Sequence, residues 1–106
     1  MTYEEVVKKV KTAAKKADAS RINEHVAFQF NITGEGSGAF YLEIADGKIN
    51  VEPYEYYDRN ALITSSADNI IKIMNGKMDP VVAFTLGKIK VEGDLGKALI
   101  LKEIIK

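Results

Sequence analysis

The chain of 106 residues has no cysteine, no tryptophan, one histidine, two prolines and no surplus of charge, with 15 Lys+Arg against 15 Asp+Glu. The absence of cysteine excludes a disulfide scaffold, a thiolate metal site and a cysteine nucleophile. With His25 as the one histidine, at the start of a predicted strand, nucleophilic catalysis lacks the convergence of nucleophile, base and orienting group that it needs, and His25 reads as structural. A net charge of zero argues against a dedicated nucleic-acid binder, which carries a basic excess. Long apolar runs are also missing: Val81-Val82-Ala83-Phe84 and Ala98-Leu99-Ile100-Leu101 fall far short of the ~20 residues that span a bilayer. Met1-Thr2-Tyr3-Glu4-Glu5 lacks a basic-then-apolar signal layout, so secretion is not expected and the Asn31-Ile32-Thr33 glycosylation triplet reads as coincidence. A chain of this size buries roughly 60–70% of its unfolded surface, enough for a single core, and residues 1–106 are expected to form a single domain.

What is present is a clear change of period along the chain. Thr2 and Glu5 make a capping box, and Tyr3, Val6, Val7, Val10, Ala13, Ala14 and Ala17 recur at helical spacing, predicting a helix over 3–17 with Lys8, Lys9, Lys11, Lys15 and Lys16 on the opposite side. From His25 the period is two: Val26, Phe28, Phe30 and Ile32 alternate with Ala27, Gln29, Asn31 and Thr33, a strand with one buried face. Phe40, Leu42 and Ile44 mark a second strand, Asp46-Gly47 a two-residue hairpin turn, and Ile49 and Val51 a third strand ended by Pro53. Ala61-Leu62-Ile63-Thr64 reads as a fourth. Ser65 or Ser66 caps a helix carrying Ile70, Ile71 and Met74, stopped at Asn75-Gly76. Asp79-Pro80 starts another, apolar on nearly all sides through Val81, Val82, Ala83, Phe84 and Leu86, which has to be buried or line an apolar site. A fifth strand, Lys88-Ile89-Lys90-Val91-Glu92, and a final helix from Leu95 to Ile105 complete an α+β domain with a largely antiparallel sheet covered by helices on one face.

Few residues offer chemistry. No serine sits in a Gly-x-Ser-x-Gly elbow, so the chain is not expected to be an enzyme. Glu35, Glu43, Asp46, Glu52, Glu55 and Asp58 gather between 35 and 58 against Lys48 alone, but without calcium-loop spacing they read as a solvated face rather than a metal site. Gly34-Glu35-Gly36-Ser37-Gly38 leads into a strand, whereas a phosphate loop leads into a helix. Tyr54, Tyr56 and Tyr57 could stack on bases, yet the neighbouring acids repel phosphates. No cofactor, metal or nucleic-acid partner is expected. The apolar residues, 46% of the chain, fit one closed core, while flexible Met74 and Met78 around Asn75-Gly76-Lys77 also suit an adaptable apolar wall.

Asn75-Gly76-Lys77-Met78-Asp79-Pro80, then Ala83-Phe84 and Gly87-Lys88-Ile89-Lys90-Val91-Glu92-Gly93-Asp94, resemble the sterol carrier protein type-2 family, with its Asn-Gly-Lys-x-(Asn/Asp)-Pro helix start and its Gly-Lys-(Leu/Ile)-Lys strand. Val26-Ala27-Phe28-Gln29-Phe30-Asn31-Ile32, Gly38-Ala39-Phe40-Tyr41-Leu42-Glu43-Ile44 and Asp46-Gly47-Lys48 turning into Ile49-Asn50-Val51 are similar to the strands of that family. The resemblance implies a small stand-alone, bacterial-type member: a five-stranded, mainly antiparallel sheet whose helices enclose an apolar tunnel that binds sterol, fatty acid or fatty acyl-CoA without chemistry. The Asp79 to Leu86 and Leu95 to Ile105 helices would be its walls, and Phe28, Phe30, Leu42, Ile44, Ile70, Met74, Met78, Phe84, Leu86, Leu99 and Ile104 its lining. Leu86 stands where many members have Gln, which favours a purely apolar ligand portion.

The chain ends Ile104-Ile105-Lys106 rather than in a Ser-Lys-Leu type peroxisomal address, so a cytoplasmic location is expected. Lys8, Lys11 and Lys15 form either a solvated face or a contact for an anionic membrane surface. A ligand cavity of at least ~300 Å³, rigid and empty, would cost about 7 kcal/mol at roughly 24 cal/mol per Å³, comparable to a whole domain's stability. Two functions stay open: a lipid-binding or transfer module, and a protein interaction module with a closed apolar core and no lipid.

Overall fold

In the strand Val26–Thr33 (β1), Val26, Phe28, Phe30 and Ile32 face one way and Ala27 and Gln29 the other, and all six are buried. Only a strand covered on both sides satisfies that pattern. The computed structural model, which describes residues 1–105 and leaves Lys106 of the terminal tripeptide outside, places β1 at the centre of a five-stranded sheet. Its order is β3-β2-β1-β4-β5, with β2 Gly38–Ala45, β3 Lys48–Glu52, β4 Ala61–Ser66 and β5 Lys90–Gly93. Neighbours are antiparallel except β1 and β4, which run parallel with Phe28 opposite Ala61 and Phe30 opposite Ile63. The sheet is therefore mixed and mostly antiparallel.

The helices lie on the face of Phe28 and Phe30, where those two side chains, Phe40, Leu42, Ile44 and Ile63 form a continuous core with residues from α1, α2 and α5. In α1 (Tyr3–Ala14) the Thr2–Glu5 capping box forms as expected, and Val6, Val7, Val10, Ala13 and Ala14 are buried. The helix stops at Ala14, three residues earlier than the apolar spacing indicates, because the amides of Lys16 and Ala17 bond to carbonyls three residues back and tighten the last turn. Ser66 caps α2 (Ala67–Met74) and Asp79 caps α3 (Pro80–Thr85). The final helix is divided at Leu99 into α4 (Leu95–Ala98) and α5 (Ile100–Ile104), a finding that the sequence periodicity did not anticipate.

The parallel pair requires the chain to leave β3 at one edge, cross β2 and β1, and enter on the far side. Residues 53–60 do so over the helix-free face, where the Tyr56 amide donates to Gln29 Oε1 at 3.1 Å and the Tyr56 ring meets Tyr41 edge-on at 5.0 Å. This cover explains why Ala27 and Gln29 are buried although their alternation reads as a solvent face. Asn60 locks the crossing: its side-chain oxygen accepts from the Ala27 amide, its own amide donates to the Ala27 carbonyl, and its carbonyl accepts from Asp94. Gly93 packs against that carbonyl with φ +102°, and a Cβ there would stand 2.7 Å from Asn60 O. Gly93→Ala should therefore cost about 2 kcal/mol or more in denaturant unfolding. Gly34→Ala, at φ +76° in open space, should cost only about 1 kcal/mol; equal losses would show that Asn60 and Gly93 are not a tight contact.

Candidate functional site

Apolar side chains that the core does not absorb collect at the β4–β5 edge. Six residues give α3 one buried side chain, Ala83, while Val81, Val82 and Phe84 stay partly exposed. Opposite them stand Leu95 at the start of α4 and Leu99 at the junction of α4 with α5, each 52% exposed. Between these walls runs an open groove of about 210 Å³. Pro80, Val81 and Phe84 form one side, Leu95, Gly96, Ala98, Leu99 and Leu101 the other, and Ile63, Ile89 and Val91 the floor. The one charged lining residue is Lys102.

Both ends of α3 are fixed. At its start Asp79 Oδ1 accepts from the amides of Val81 (2.7 Å) and Val82 (3.3 Å), and Oδ2 meets Lys102 Nζ at 3.0 Å. The hydrogen bond from Lys102, reinforced by the two helix amides, holds the Asp79 carboxyl below the usual carboxylate range. At its end Gly87 adopts φ +75° and the Lys88 carbonyl accepts from Ser65 Oγ at 2.6 Å and Asn69 Nδ2 at 3.1 Å. The ion pair ties the start of α3 to α5, the two walls of the groove.

Of the residues expected to line a cavity, Phe84 and Leu99 line this groove. Phe28, Phe30, Leu42, Ile44, Ile70, Met74 and Ile104 lie in the closed core, and Met78 packs partly buried against it. Leu86 is 64% exposed and does not line the groove. The Asp79 to Leu86 and Leu95 to Ile105 helices, expected as walls, do flank the groove, but the sequence did not single out Val81, Ala98 or Lys102 on them, nor Ile63 and Val91 of the floor. Lys8 and Lys11 are exposed on α1, and Lys15 is exposed at its C-cap.

A polar cluster occupies the other face of the sheet. His25 Nε2 lies 2.6 Å from Glu43 Oε2, and the Tyr56 hydroxyl donates to the same carboxylate at 2.9 Å. The His25 hydrogen bond, with help from Tyr56, lowers the Glu43 pKa, while the bond to Glu43 raises that of Tyr56. A phenol held in its protonated form by a carboxylate is a donor, not a nucleophile, and these contacts fasten the crossing segment to the sheet. Among the described residues no group of three or more His, Cys, Asp or Glu side chains could hold a metal ion, and no helix is long and apolar enough to cross a membrane.

The fold and the groove define a class of small α+β domain with an apolar site between sheet and helices. The SCP-2 sterol transfer family model matches residues 4–106, and the chain belongs to that family. Hydroxysteroid dehydrogenase-like protein 2 of Xenopus tropicalis is 36% identical over 97 residues, which is 85% of this chain but 23% of that protein. The chain thus spans about a quarter of the length of that curated relative. In fold it is similar to palmitated SCP2L2 from Aedes aegypti, at TM-score 0.67 and 19% identity over 98% of this chain and 94% of that one. The sec-alkylsulfatase Pisa1 from Pseudomonas sp. contains the same architecture, at TM-score 0.75 and 14% identity over 89% of this chain and 15% of that one.

Because the folded Glu43 pKa is lowered, its contribution to stability is present above the ordinary glutamate range and is lost as pH falls through the folded value. Glu43→Gln should lower the melting temperature at neutral pH and shrink the loss of stability between neutral and acid pH. Parallel Tm-against-pH curves for the two proteins would show that Glu43 does not fasten the crossing segment.

Proposed function

We propose that this chain binds a lipid by its apolar tail in the groove between α3, the α4–α5 pair and the β4–β5 edge, and carries it without transforming it. The observation that carries this reading is the groove itself, whose lining is apolar except for Lys102. Each methylene drawn from water into such a groove contributes about 0.8 kcal/mol. The volume of about 210 Å³ lies below the ~300–1,000 Å³ typical of ligand pockets, so the ligand either extends past the mouth or parts α3 from α4. A flexible acyl chain meets that requirement better than a rigid sterol nucleus. Lys102 suits a carboxylate or phosphate head, by exchanging Asp79 for the ligand's charge. The palmitate of the Aedes aegypti neighbour and the SCP-2 sterol transfer family match support the same general reading, and residues 1–106 act in it as a single lipid-binding unit.

Titration with a fluorescent long-chain fatty acid tests the proposal. Saturable binding is expected, with a rise in melting temperature as ligand exceeds its Kd. Ala98→Phe, which fills the groove from a position already at its wall, should weaken binding about tenfold or more while the protein stays folded. Binding unchanged by Ala98→Phe, or no binding and no shift in Tm, would overturn the groove as a lipid site and leave a protein interaction module as the reading.

A further inference from the structure

Strand β3 closes the sheet at the edge away from the groove, and no strand lies on its outer side. The turn before it, Asp46-Gly47, has φ +52° and +74° at its two residues, the primed geometry of a two-residue hairpin. Such a turn closes on a hydrogen-bonded pair, here Ala45 with Lys48, and bonded and non-bonded pairs then alternate along an antiparallel ladder. Glu43–Asn50 and Tyr41–Glu52 are therefore bonded pairs, while Ile49 and Val51, opposite Ile44 and Leu42, turn their amides and carbonyls outward. Among the described residues neither Ile49 nor Val51 makes a backbone hydrogen bond outside the sheet. No proline or bulge, two of the devices that blunt an edge, interrupts the five residues of β3.

The sequence of that edge, Lys48-Ile49-Asn50-Val51-Glu52, is complementary to itself about Asn50. We propose that β3 pairs with β3 of a second copy of the chain, antiparallel and about a two-fold axis through Asn50, which joins the two sheets edge to edge. In that register Ile49 of each copy stands opposite Val51 of the other, and each of these pairs exchanges both of its backbone hydrogen bonds. On the helix-free face Lys48 stands opposite Glu52 of the second copy, once on either side of the axis. Neither Lys48 nor Glu52 makes an ion pair in its own chain among the described residues. On the helix face Val51 is buried and Ile49 packs partly buried against the core, so the two apolar layers meet across the axis. A slip of two residues keeps one bonded pair within the strand and separates Lys48 from Glu52 in both places. At the other edge β5 is only four residues long, and its Lys90 and Glu92 are already paired to each other at 3.1 Å. Lys11 on α1 and Lys15 at its C-cap oppose the pairing: they stand beside residues 49–52, and the axis brings them toward their counterparts. Two five-residue strands also make a small interface, so the dimer is weak, with a Kd between about 1 μM and about 1 mM.

Sedimentation equilibrium of the full chain from about 10 μM to about 1 mM tests the pairing. A reversible monomer–dimer equilibrium is expected. Lys48→Glu and Glu52→Lys should each weaken it about tenfold or more, and the two together should restore it to within about threefold of the wild type. Lys11→Gln/Lys15→Gln should tighten it about threefold or more. The chain has no cysteine, so a single introduced thiol reports the register. Asn50→Cys, opposite itself at the ~4.5 Å Cα spacing of a non-bonded pair, should oxidise to a covalent dimer about tenfold faster than Lys48→Cys, which the register holds apart from its counterpart. A chain that stays monomeric at about 1 mM overturns the proposal. So does a dimer that both single charge variants leave intact, or equal oxidation of the two cysteine variants. The groove lies at the opposite edge of the sheet, so the charge variants should bind a fatty acid as the wild type does. Dimerisation without fatty-acid binding overturns the groove as a lipid site and supports the edge pairing.

Discussion

The parallel pairing of β1 with β4 is the constraint on which the rest of the molecule depends. Three antiparallel strands joined by short loops form a meander by themselves, but a parallel fourth strand cannot be reached by a hairpin. The chain has to cross two strands, and whichever face it crosses is lost to solvent. Here it crosses opposite the helices, which buries Ala27 and Gln29 and obliges Gln29 to find partners in the Tyr56 amide, Arg59 and Asn31. The polar bonds of this face are the consequence of covering it with irregular backbone, whose amides and carbonyls need partners as a strand's do. The same crossing delivers β4 and then β5 to an edge that α1 and α2 do not cover, and that edge becomes the floor of the groove.

Two regions with different tasks follow. Under α1 and α2 the core is closed: Phe30 and Phe40 stack at 5.1 Å, and Phe28, Leu42, Ile44 and Ile70 are fully buried. This region supplies the burial that holds the domain together, at about 25 cal/mol for each Å² of apolar surface removed from water. Beyond Ile63 the sheet continues under helices of four to six residues that cannot cover it completely. Such helices are too short to be stable alone, and here N-cap carboxylates hold two of the three, Asp79 for α3 and Asp94 for α4, while α5 follows α4 directly at Leu99 and buries Ile100, Leu101 and Ile104.

The closed region was legible in the sequence because its signals are periodic. The alternation of β1 and β2, the Asp46-Gly47 turn and the Thr2 capping box each prescribe a local geometry that the structure adopts. Lining residues were not legible in the same way. Phe28, Phe30, Leu42 and Ile44 carry the same alternation whether their face packs on a helix or opens on a cavity, so a pattern of apolar residues cannot tell core from site. That distinction depends on how many side chains the covering helix can supply, a tertiary property. Lys102 was hidden for a different reason, since its place at the groove follows from an ion pair with Asp79, 23 positions away. The division at Leu99 was hidden because Leu95, Ala98, Leu99, Leu101 and Lys102 keep helical spacing through the break.

Helix α3 concentrates the physical argument for a lipid-facing surface. A helix apolar on all sides is ordinarily interior, yet this one buries Ala83 and leaves Val82, Phe84 and Leu86 near half exposed or more. Its sequence therefore does not maximise its own burial, nor does it minimise contact with water. It is secured by caps at its two ends and by one ion pair, contacts that fix its position along the sheet edge without pressing it into the core. Moving such a helix outward sacrifices little of the burial that stabilises the domain, because that burial lies on the other side of Ile63. A wall joined to the sheet in this way can shift without unfolding the domain, because the burial that holds the domain together lies in strands and helices outside the groove.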